Sequence, residues 1–410
     1  MNNKKLFTIT TLVVFITSAA PAYALTIDEI MPRGENARVL GVSTTSLLGQ
    51  IEEAKQMLAG ERLNYVISPV YANKKVTIGT GKNKKTTTKQ VVSGYTTSPK
   101  DIALAILDPG TNEIKIAKAM QRDTNFEFPD KNFDIEKISF NGVNTSFRVN
   151  NPSNGTVLAL KYLISKDGGT KKAVQDSMYE GVYVPYTAKL STPEVAKEGD
   201  NYLTSVITQA TNQLANVRSS SHPEKLIVEA IPPAAVKALI YAEHVSMWEY
   251  QNIPRQELIN KVNTLFGANK ADTYKYSVSS AGASGLAQFM PNTYASLVKR
   301  RTDIALNSDF INGMRDHVNA VKAMYGLLDD YLGAVKTLAN QHFIPGHAIE
   351  YAAAAYNGGP VRVAGAAKAF GPGWSEYKAS NEKSLRAETA SYVTKIQGFL
   401  QWLNSQPASI

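Results

Sequence analysis

The chain has 410 residues, of which 43% are hydrophobic and 19% charged, and none is cysteine. The lack of cysteine excludes disulfide bonds, thiol nucleophiles and a lipidated amino-terminal cysteine. Lysine and arginine number 44 against 35 aspartate and glutamate residues, a formal net charge of +9. This surplus favours an anionic polymer or lipid surface as a partner. The chain is long enough for two hydrophobic cores.

The amino terminus has the layout of a secretory signal peptide. Lys4 and Lys5 precede an apolar run over residues 6–20, which is followed by the small-x-small sequence Ala22-Tyr23-Ala24. This layout predicts a signal peptide over residues 1–24; an uncleaved anchor is the alternative. No later stretch has the roughly 18 apolar residues of a membrane span. We therefore expect a soluble mature chain, periplasmic or secreted, without a further transmembrane segment and without nucleic acid as a partner.

The residues that follow predict a mixed region of helix and strand. Apolar residues at helical spacing over 46–59 predict one short helix. From about residue 64 to 190 the dominant period is two. Alternation over 102–106 and 114–116, joined by the turn residues of 108–112, predicts an antiparallel hairpin.

Two further features of this region concern its turns. Asn141-Gly142 lies between two alternating stretches and predicts a second hairpin, because Asn-Gly supplies the positive φ angles of a tight turn. A basic segment separates two β-prone arms between Val76 and Val92. We expect an exposed hairpin tip there, and a contact for an acidic polymer is the alternative. The lysines of this segment are Lys82, Lys84, Lys85 and Lys89.

From Pro193 onward the pattern is helical, and residues 310–332 are strongly periodic. The small polar run at 219–225 interrupts this pattern and predicts a boundary. The predicted fold class is therefore α+β, with an N-terminal mixed domain that contains antiparallel hairpins and a C-terminal all-α domain. The predicted segments are the signal peptide 1–24, the N-terminal domain 25–218, a linker 219–229 and the C-terminal domain 230–404.

The run AAVKALIYAEHVSMW carries a carboxylate on an apolar helix face. Val236, Leu239, Ile240, Glu243 and Met247 recur at three- and four-residue steps, so they project from one side of a helix. Burial disfavours the charged form of a carboxyl group and raises its pKa. Glu243 is therefore a candidate general acid. The alternative is a partly covered helix on which Glu243 reaches water.

Three later segments also depart from what packing requires. In SVSSAGASGLAQFMPNTY, over 277–294, small residues permit close backbone approach before a helix, and Gln288 presents an amide suited to sugar groups. In AAAAYNGGPVRV, Tyr356 and Asn357 lie at a sharp turn where a phenol can orient a carboxyl group or stack on a sugar. In LRAETASYVTKIQGF, Glu388 falls close to an apolar stripe. Each of these residues has a purely structural alternative.

In this order the four segments resemble the SLT-type (family 1) lytic transglycosylase domain, a lysozyme-like α fold that cleaves the glycan strands of peptidoglycan. The resemblance covers about residues 230–404. It implies that Glu243 is the single catalytic acid and base, and that no metal or cofactor takes part. It implies contacts with substrate, or support of the cleft, for Ser279, Gln288, Met290, Tyr356, Asn357 and Glu388.

The chain departs from the family pattern in two respects. His244 follows the predicted catalytic residue where the family has serine, and Ala287 and Gly359 replace a usual methionine and alanine. An insertion, EYQNIPRQELINKVNTLFGANKADTYKYS, separates Glu243 from the loop that contains Gly282. We expect it to roof the cleft, to narrow substrate choice or to extend the helical layer.

The resemblance implies that a linkage between N-acetylmuramic acid and N-acetylglucosamine is cleaved to a 1,6-anhydro end, for cell-wall remodelling or local opening for an envelope assembly. Two alternatives remain. The first is a hydrolytic muramidase in which Asp272 or Glu257 positions water. The second is a non-catalytic glycan-binding component of a secretion or conjugation apparatus, docked through residues 25–218. The five histidines have no tight ligand spacing, so zinc chemistry is not expected.

Overall fold

The computed structural model describes residues 46–78, 84–165, 178–279 and 281–406. The predicted signal peptide 1–24 and Lys82 lie outside these residues. The described residues belong to one compact unit. The strands are β1 Tyr65–Ile78, β2 Lys85–Asp108, β3 Glu113–Arg122, β4 Asn125–Glu127, β5 Asp134–Ser139, β6 Ser146–Asn151, β7 Thr156–Ser165 and β8 Met178–Tyr183.

The α-helices are α1 Leu47–Ala59, α2 Pro193–Gln213, α3 Ile227–Ala230, α4 Pro233–Glu243, α5 Met247–Asn252, α6 Arg255–Asn269, α7 Pro291–Arg300, α8 Phe310–Arg315, α9 His317–Ala339, α10 Ala348–Gly358, α11 Pro360–Phe370 and α12 Ala387–Ser405. Short 3₁₀ helices span Gly142–Asn144, Ala188–Leu190, Lys270–Asp272, Thr302–Ile304, Asn340–His342, Pro345–His347 and Gly371–Gly373. The α+β class is confirmed, with all the described strands before residue 184 and all the described α-helices except α1 after it.

The main sheet is antiparallel, in the order β4-β3-β2-β7-β8, and β1 also pairs with β2. Residues 102–106 of β2 are all buried because both faces of the sheet are covered. On one face Ala103 and Ala105 pack with α1. Ile102, Leu104 and Ile106 lie on the other face, beside Phe126 and Phe147. Ile114 and Ile116 of β3 lie on the α1 face. The hairpin of β2 and β3 is confirmed by the register between them.

The second hairpin forms, but its predicted tight turn is wrong. β5 and β6 pair antiparallel, yet a 3₁₀ helix over Gly142–Asn144 joins them. Asn141 has φ −150°, so only Gly142, at φ +53°, takes the left-handed conformation. The Thr145 hydroxyl accepts a hydrogen bond from the Asn141 amide at 3.2 Å and donates to the Gly142 carbonyl at 2.6 Å. This threonine closes a longer turn than Asn-Gly alone specifies.

The periodic segment 310–332 is two helices. Asp316 ends α8 and caps α9, because its carboxylate accepts from the amides of Val318 and Asn319 at 2.9 and 3.2 Å. A carboxylate at this position satisfies amides that have no partner within the helix and complements the helix dipole. The apolar period continues across the break, so periodicity alone does not reveal it.

The insertion after Glu243 forms α5 and α6, and α6 extends the helical layer. Ten residues of α6 are buried, including Leu258, Val262 and Phe266. Asn269, at its end, exchanges hydrogen bonds with the backbone of Val184 just after β8, at 2.8 and 2.9 Å. The insertion therefore joins the helical region to the sheet.

α2 and α6 cross at two glycines. A Cβ atom on Gly199 would overlap the Asn263 carbonyl, and one on Gly267 would overlap the Val195 carbonyl. We expect Gly199→Ala to lower the free energy of unfolding by about 2–3 kcal/mol, because two helix backbones must separate. Gly365→Ala is the matched control, since no atom lies within 4 Å of its Cβ position in α11. Urea denaturation of both variants checks this, and equal midpoints would contradict the close crossing.

The predicted linker 219–229 is bonded to the helical region at its start and becomes helical at its end. Ser219, Ser220 and Ser221 donate to the carboxylate of Asp329, which is fully buried in α9, and Arg301 pairs with the same carboxylate at 3.0 Å. Burial raises the pKa of Asp329, but these hydrogen bonds outweigh it and hold the pKa below its usual value. The segment is fixed by a buried charge, and the domain boundaries at 218 and 230 stay a prediction.

Candidate functional site

Glu243 is the last residue of α4 and is partly buried. The helix begins at Pro233, and proline suits this position because it has no amide hydrogen that would lack an acceptor in the first turn. The helix ends where His244 leaves helical geometry. Glu243 lines a cavity of about 550 Å³. The cavity is lined by Ala242, Glu243, His244, Val245, Ser246, Met247, Glu249, Asn357, Glu388, Ser391, Tyr392 and Lys395.

The environment of Glu243 raises its pKa to about 7. Burial is the largest cause, because it penalises the carboxylate, and the charge of Glu388 adds to it. The Tyr392 hydroxyl, which donates to Oε1 of Glu243 at 2.6 Å, and the charge of Lys395 act in the opposite direction. Both protonation states of Glu243 are therefore accessible near neutral pH, as a group that must give and then accept a proton requires.

Lys395 holds the end of α4. Its ammonium donates to the carbonyls of Ala242 and Val245, the latter at 2.7 Å. The C-terminal end of a helix carries partial negative charge and disfavours a carboxylate there. The cation of Lys395 offsets this field and fixes the backbone that carries Glu243.

His244 connects α4 to the loop over 277–290. Its ring stacks on Tyr274 with centroids 3.4 Å apart and planes 3° from parallel. Burial lowers the pKa of His244 to about 3, so the ring is neutral and its Nε2 donates to the Leu286 carbonyl at 2.8 Å. The residue that departs from the family pattern thus positions the loop.

The loop itself is shaped by two of the predicted site residues. Ser279 Oγ accepts from the Ala283 amide at 3.0 Å, and the Gln288 amide group donates to the Gly285 carbonyl at 2.7 Å. Gly285, at φ +72°, passes so close to the Met314 backbone that a Cβ atom would overlap it. Met290 precedes α7 and is 40% exposed. The polar groups of Ser279 and Gln288 bond within the loop.

Tyr356 and Asn357 lie at the end of α10. The Tyr356 hydroxyl donates to the Ala287 carbonyl, so this corner is bonded to the loop as well. The Asn357 side chain accepts from the Thr389 hydroxyl at 2.8 Å and lines the cavity. Burial raises the pKa of Tyr356, and the charge of Glu243 adds to this effect.

The structure brings Glu243, Asn357 and Glu388 to one cavity. Tyr356 does not line it but precedes Asn357 in α10. Ser279, Gln288 and Met290 lie on the loop held by His244 and Tyr356, and they are not among the residues that line the cavity. Asp272 pairs with Lys275 at 2.7 Å. Neither Asp272 nor Glu257 lines the cavity.

Tyr392 and Lys395 were not predicted as site residues. The signal was present, because Glu388, Tyr392 and Lys395 follow one another at steps of four and three and so share one face of α12. Within the described ranges no cluster of three histidine, aspartate or glutamate side chains is arranged to hold a metal ion. No helix among the described residues is long and apolar enough to cross a membrane.

Residues 272–373 match the family model described as Transglycosylase SLT domain. No curated protein and no solved structure matches the chain. The matched segment contains the loop and the α10 corner, whereas Glu243 and Glu388 lie outside it. The resemblance is confirmed for the C-terminal half, which therefore carries a lysozyme-like SLT domain. Such a domain indicates a glycan-cleaving transglycosylase that acts on peptidoglycan.

Proposed function

Because the C-terminal half carries an SLT domain, we propose that this protein is a peptidoglycan lytic transglycosylase with Glu243 as its catalytic residue. The observation that supports this most is the partly buried carboxyl group with a pKa of about 7, in a cavity beside the SLT segment. Asn357 and Glu388 line the same cavity. In this proposal they contact substrate, together with Tyr356 and with Ser279, Gln288 and Met290 of the loop over 277–290.

The reaction requires one carboxyl group. Protonated Glu243 donates its proton to the glycosidic oxygen between N-acetylmuramic acid and N-acetylglucosamine, and the bond from that oxygen to the anomeric carbon breaks. The resulting carboxylate then takes the proton from the C6 hydroxyl of the muramic acid. The hydroxyl oxygen bonds to the anomeric carbon, which closes a 1,6-anhydro ring. Water and a second carboxylate are not needed, because the nucleophile belongs to the substrate.

Mass analysis of peptidoglycan digests tests the proposal. We expect muropeptides with 1,6-anhydro ends, each lighter by one water than the corresponding reducing product. Reducing muramic ends would instead favour the hydrolytic alternative with Asp272 or Glu257. Glycan that is bound but uncleaved would favour the non-catalytic alternative.

The same proposal assigns roles to the rest of the chain. Residues 1–24 export the protein, residues 25–218 form a domain that contacts an envelope secretion or conjugation complex, and residues 230–404 form the enzyme. The site of action is then the periplasm or the exterior, and the biological role is cell-wall remodelling or local opening for that complex. Fractionation of cells, followed by sequencing of the mature amino terminus, tests the export step.

Tyr392→Phe should shift the pH dependence of activity. The lost hydrogen bond no longer favours the Glu243 carboxylate, so the pKa of Glu243 rises above 7. Because Glu243 must be protonated to start the reaction, the basic limb of kcat/KM should move up by about half to one pH unit. Loss of orientation should lower the maximum about tenfold.

Tyr250→Phe is the matched control. The Tyr250 hydroxyl donates to the Thr394 carbonyl of α12 at 2.8 Å. The control substitution therefore removes the same atom beside the same helix but leaves the hydrogen bond to Glu243 intact. The basic limb should stay in place in this variant. An equal shift in both variants would mean that Tyr392 acts only through the stability of α12.

A further inference from the structure

β1 and β2 form a two-stranded ribbon that extends beyond the main sheet. They pair from Tyr65 opposite Lys100 to Ile78 opposite Lys85. β3 pairs with β2 from Lys100 onward and β7 from Ala103 onward, so no other described strand borders the earlier part of β2. The 14 residues of β1 correspond to a length of about 45 Å at ~3.3 Å per residue.

The ribbon carries charge of one sign. Residues 65–99 contain six lysines and no aspartate or glutamate. The five described lysines of this stretch are exposed, and no ion pair in the described residues neutralises any of them. These five are Lys74, Lys75, Lys84, Lys85 and Lys89.

The pairing register places two of these charges against each other. Lys74 lies directly opposite Lys89, and residues that are opposite in an antiparallel pair share one face. Like charges in this position destabilise a strand pair. The ribbon therefore keeps an unfavourable pair that its own folding does not require, and an anionic partner would relieve the repulsion.

The same face also exposes apolar side chains between the lysines. Val76 and Ile78 follow Lys74 at two-residue steps along β1 and so lie on its face, and Ile78 is 52% exposed. Lys85 lies opposite Ile78. A soluble acidic polymer would account for the lysines but leaves these apolar groups in water. The interface of an anionic bilayer takes both, since phosphate groups bind ammonium groups while short apolar side chains enter the acyl boundary.

We propose that this ribbon docks the protein on the surface of an anionic phospholipid bilayer. Each lysine near such a surface contributes about 1 kcal/mol at physiological ionic strength. Docking is peripheral, because the ribbon face presents short apolar side chains interleaved with charges. The site is separate from the Glu243 cavity, which is lined by residues of the helical region and by none of the ribbon.

Co-sedimentation with vesicles tests the docking. The chain from Leu25 onward is used, because the apolar run at 6–20 would bind lipid by itself. Vesicles of phosphatidylcholine with about one third phosphatidylglycerol should bind the protein at least tenfold more tightly than phosphatidylcholine alone, and salt should weaken the binding. The double variant Lys74→Glu, Lys89→Glu should lose this preference at least tenfold.

The matched control is Lys299→Glu with Lys368→Glu, two exposed lysines of the helical region, which changes the net charge by the same amount. Its binding should stay within about twofold of wild type. Equal loss in both double variants, or equal binding to both kinds of vesicle, would overturn the proposal. It would also be overturned if the ribbon variant lost binding to purified peptidoglycan sacculi and kept its binding to vesicles. Circular dichroism and urea midpoints confirm that each variant is folded.

Discussion

Glu243→Gln should abolish glycan cleavage while the protein stays folded. The amide can no longer give a proton to the glycosidic oxygen or take one from the C6 hydroxyl, so the rate should fall by about 10³-fold or more. The Tyr392 hydroxyl can still donate to the amide oxygen, which preserves the local geometry. Release of anhydro muropeptides from purified peptidoglycan measures the loss.

Glu257→Gln is the control for this substitution. It makes the same chemical change in α6 at a residue outside the cavity, and activity should be unchanged. If Glu257→Gln were inactive and Glu243→Gln active, the roles assigned to these two carboxyl groups would be wrong.

Glu243→Gln should also be more stable than wild type above neutral pH. Glu243 has a pKa of about 7 when folded, against an ordinary value of 4.5. The folded state therefore binds the proton more tightly, and its contribution to stability is lost as the pH rises from about 4.5 to 7. Glutamine removes this loss, which amounts to at most about 3 kcal/mol at pH 8. Urea denaturation should show a much larger difference at pH 8 than at pH 5.

Asp329→Asn should be strongly destabilising. The substitution removes the negative charge that pairs with buried Arg301 and turns an amide group toward the serine donors of 219–221. Breaking one partner of a buried ion pair costs about 3–5 kcal/mol. Arg301 keeps its bonds to Asp303 and Asp330, so we expect the lower end of this range in urea denaturation at pH 7.

Asp330→Asn serves as the control, because this neighbouring carboxylate also bonds Arg301 but lies nearer the surface. Its loss should cost about 1 kcal/mol. The pH dependence gives a second check. Since the pKa of Asp329 is lowered by folding, its contribution is present above the ordinary pKa of 3.8 and is lost as the pH falls further. Equal destabilisation by both substitutions would contradict a special role for Asp329.

Much of the fold follows from local sequence patterns. The apolar residues of α1 lie on one face, which packs against the sheet, and the Ser46 side chain accepts a hydrogen bond from the Gly49 amide at the start of the helix. Local signals and tertiary contacts therefore agree for this helix. The break at Asp316 and the longer turn at Asn141 depend on single side-chain hydrogen bonds. Such bonds leave the apolar period unchanged, and periodicity cannot locate them.

The candidate site was predictable where a polar side chain occupies a position that packing would give to an apolar one. A carboxylate on the apolar face of α4 is unusual on its own, and the order of the later motifs identified the surrounding segments. The partners of Asp329 were not predictable, because the serine run and the aspartate are more than 100 residues apart. Tyr392 looked like an ordinary core tyrosine, and only the approach of α12 to α4 brings its hydroxyl into a hydrogen bond with Glu243.

The glycine crossing of α2 and α6 sets where a working fragment can begin. A recombinant piece that starts at residue 230 retains the SLT segment and the proposed acid but lacks α2, the helix that covers Gly267 of α6. The apolar side of α6 that α2 covers would then face solvent. α6 directly follows α5 in the chain, and α5 contains Glu249, which lines the cavity. Crystallisation or inhibitor screening with the helical region alone therefore calls for a boundary before Pro193.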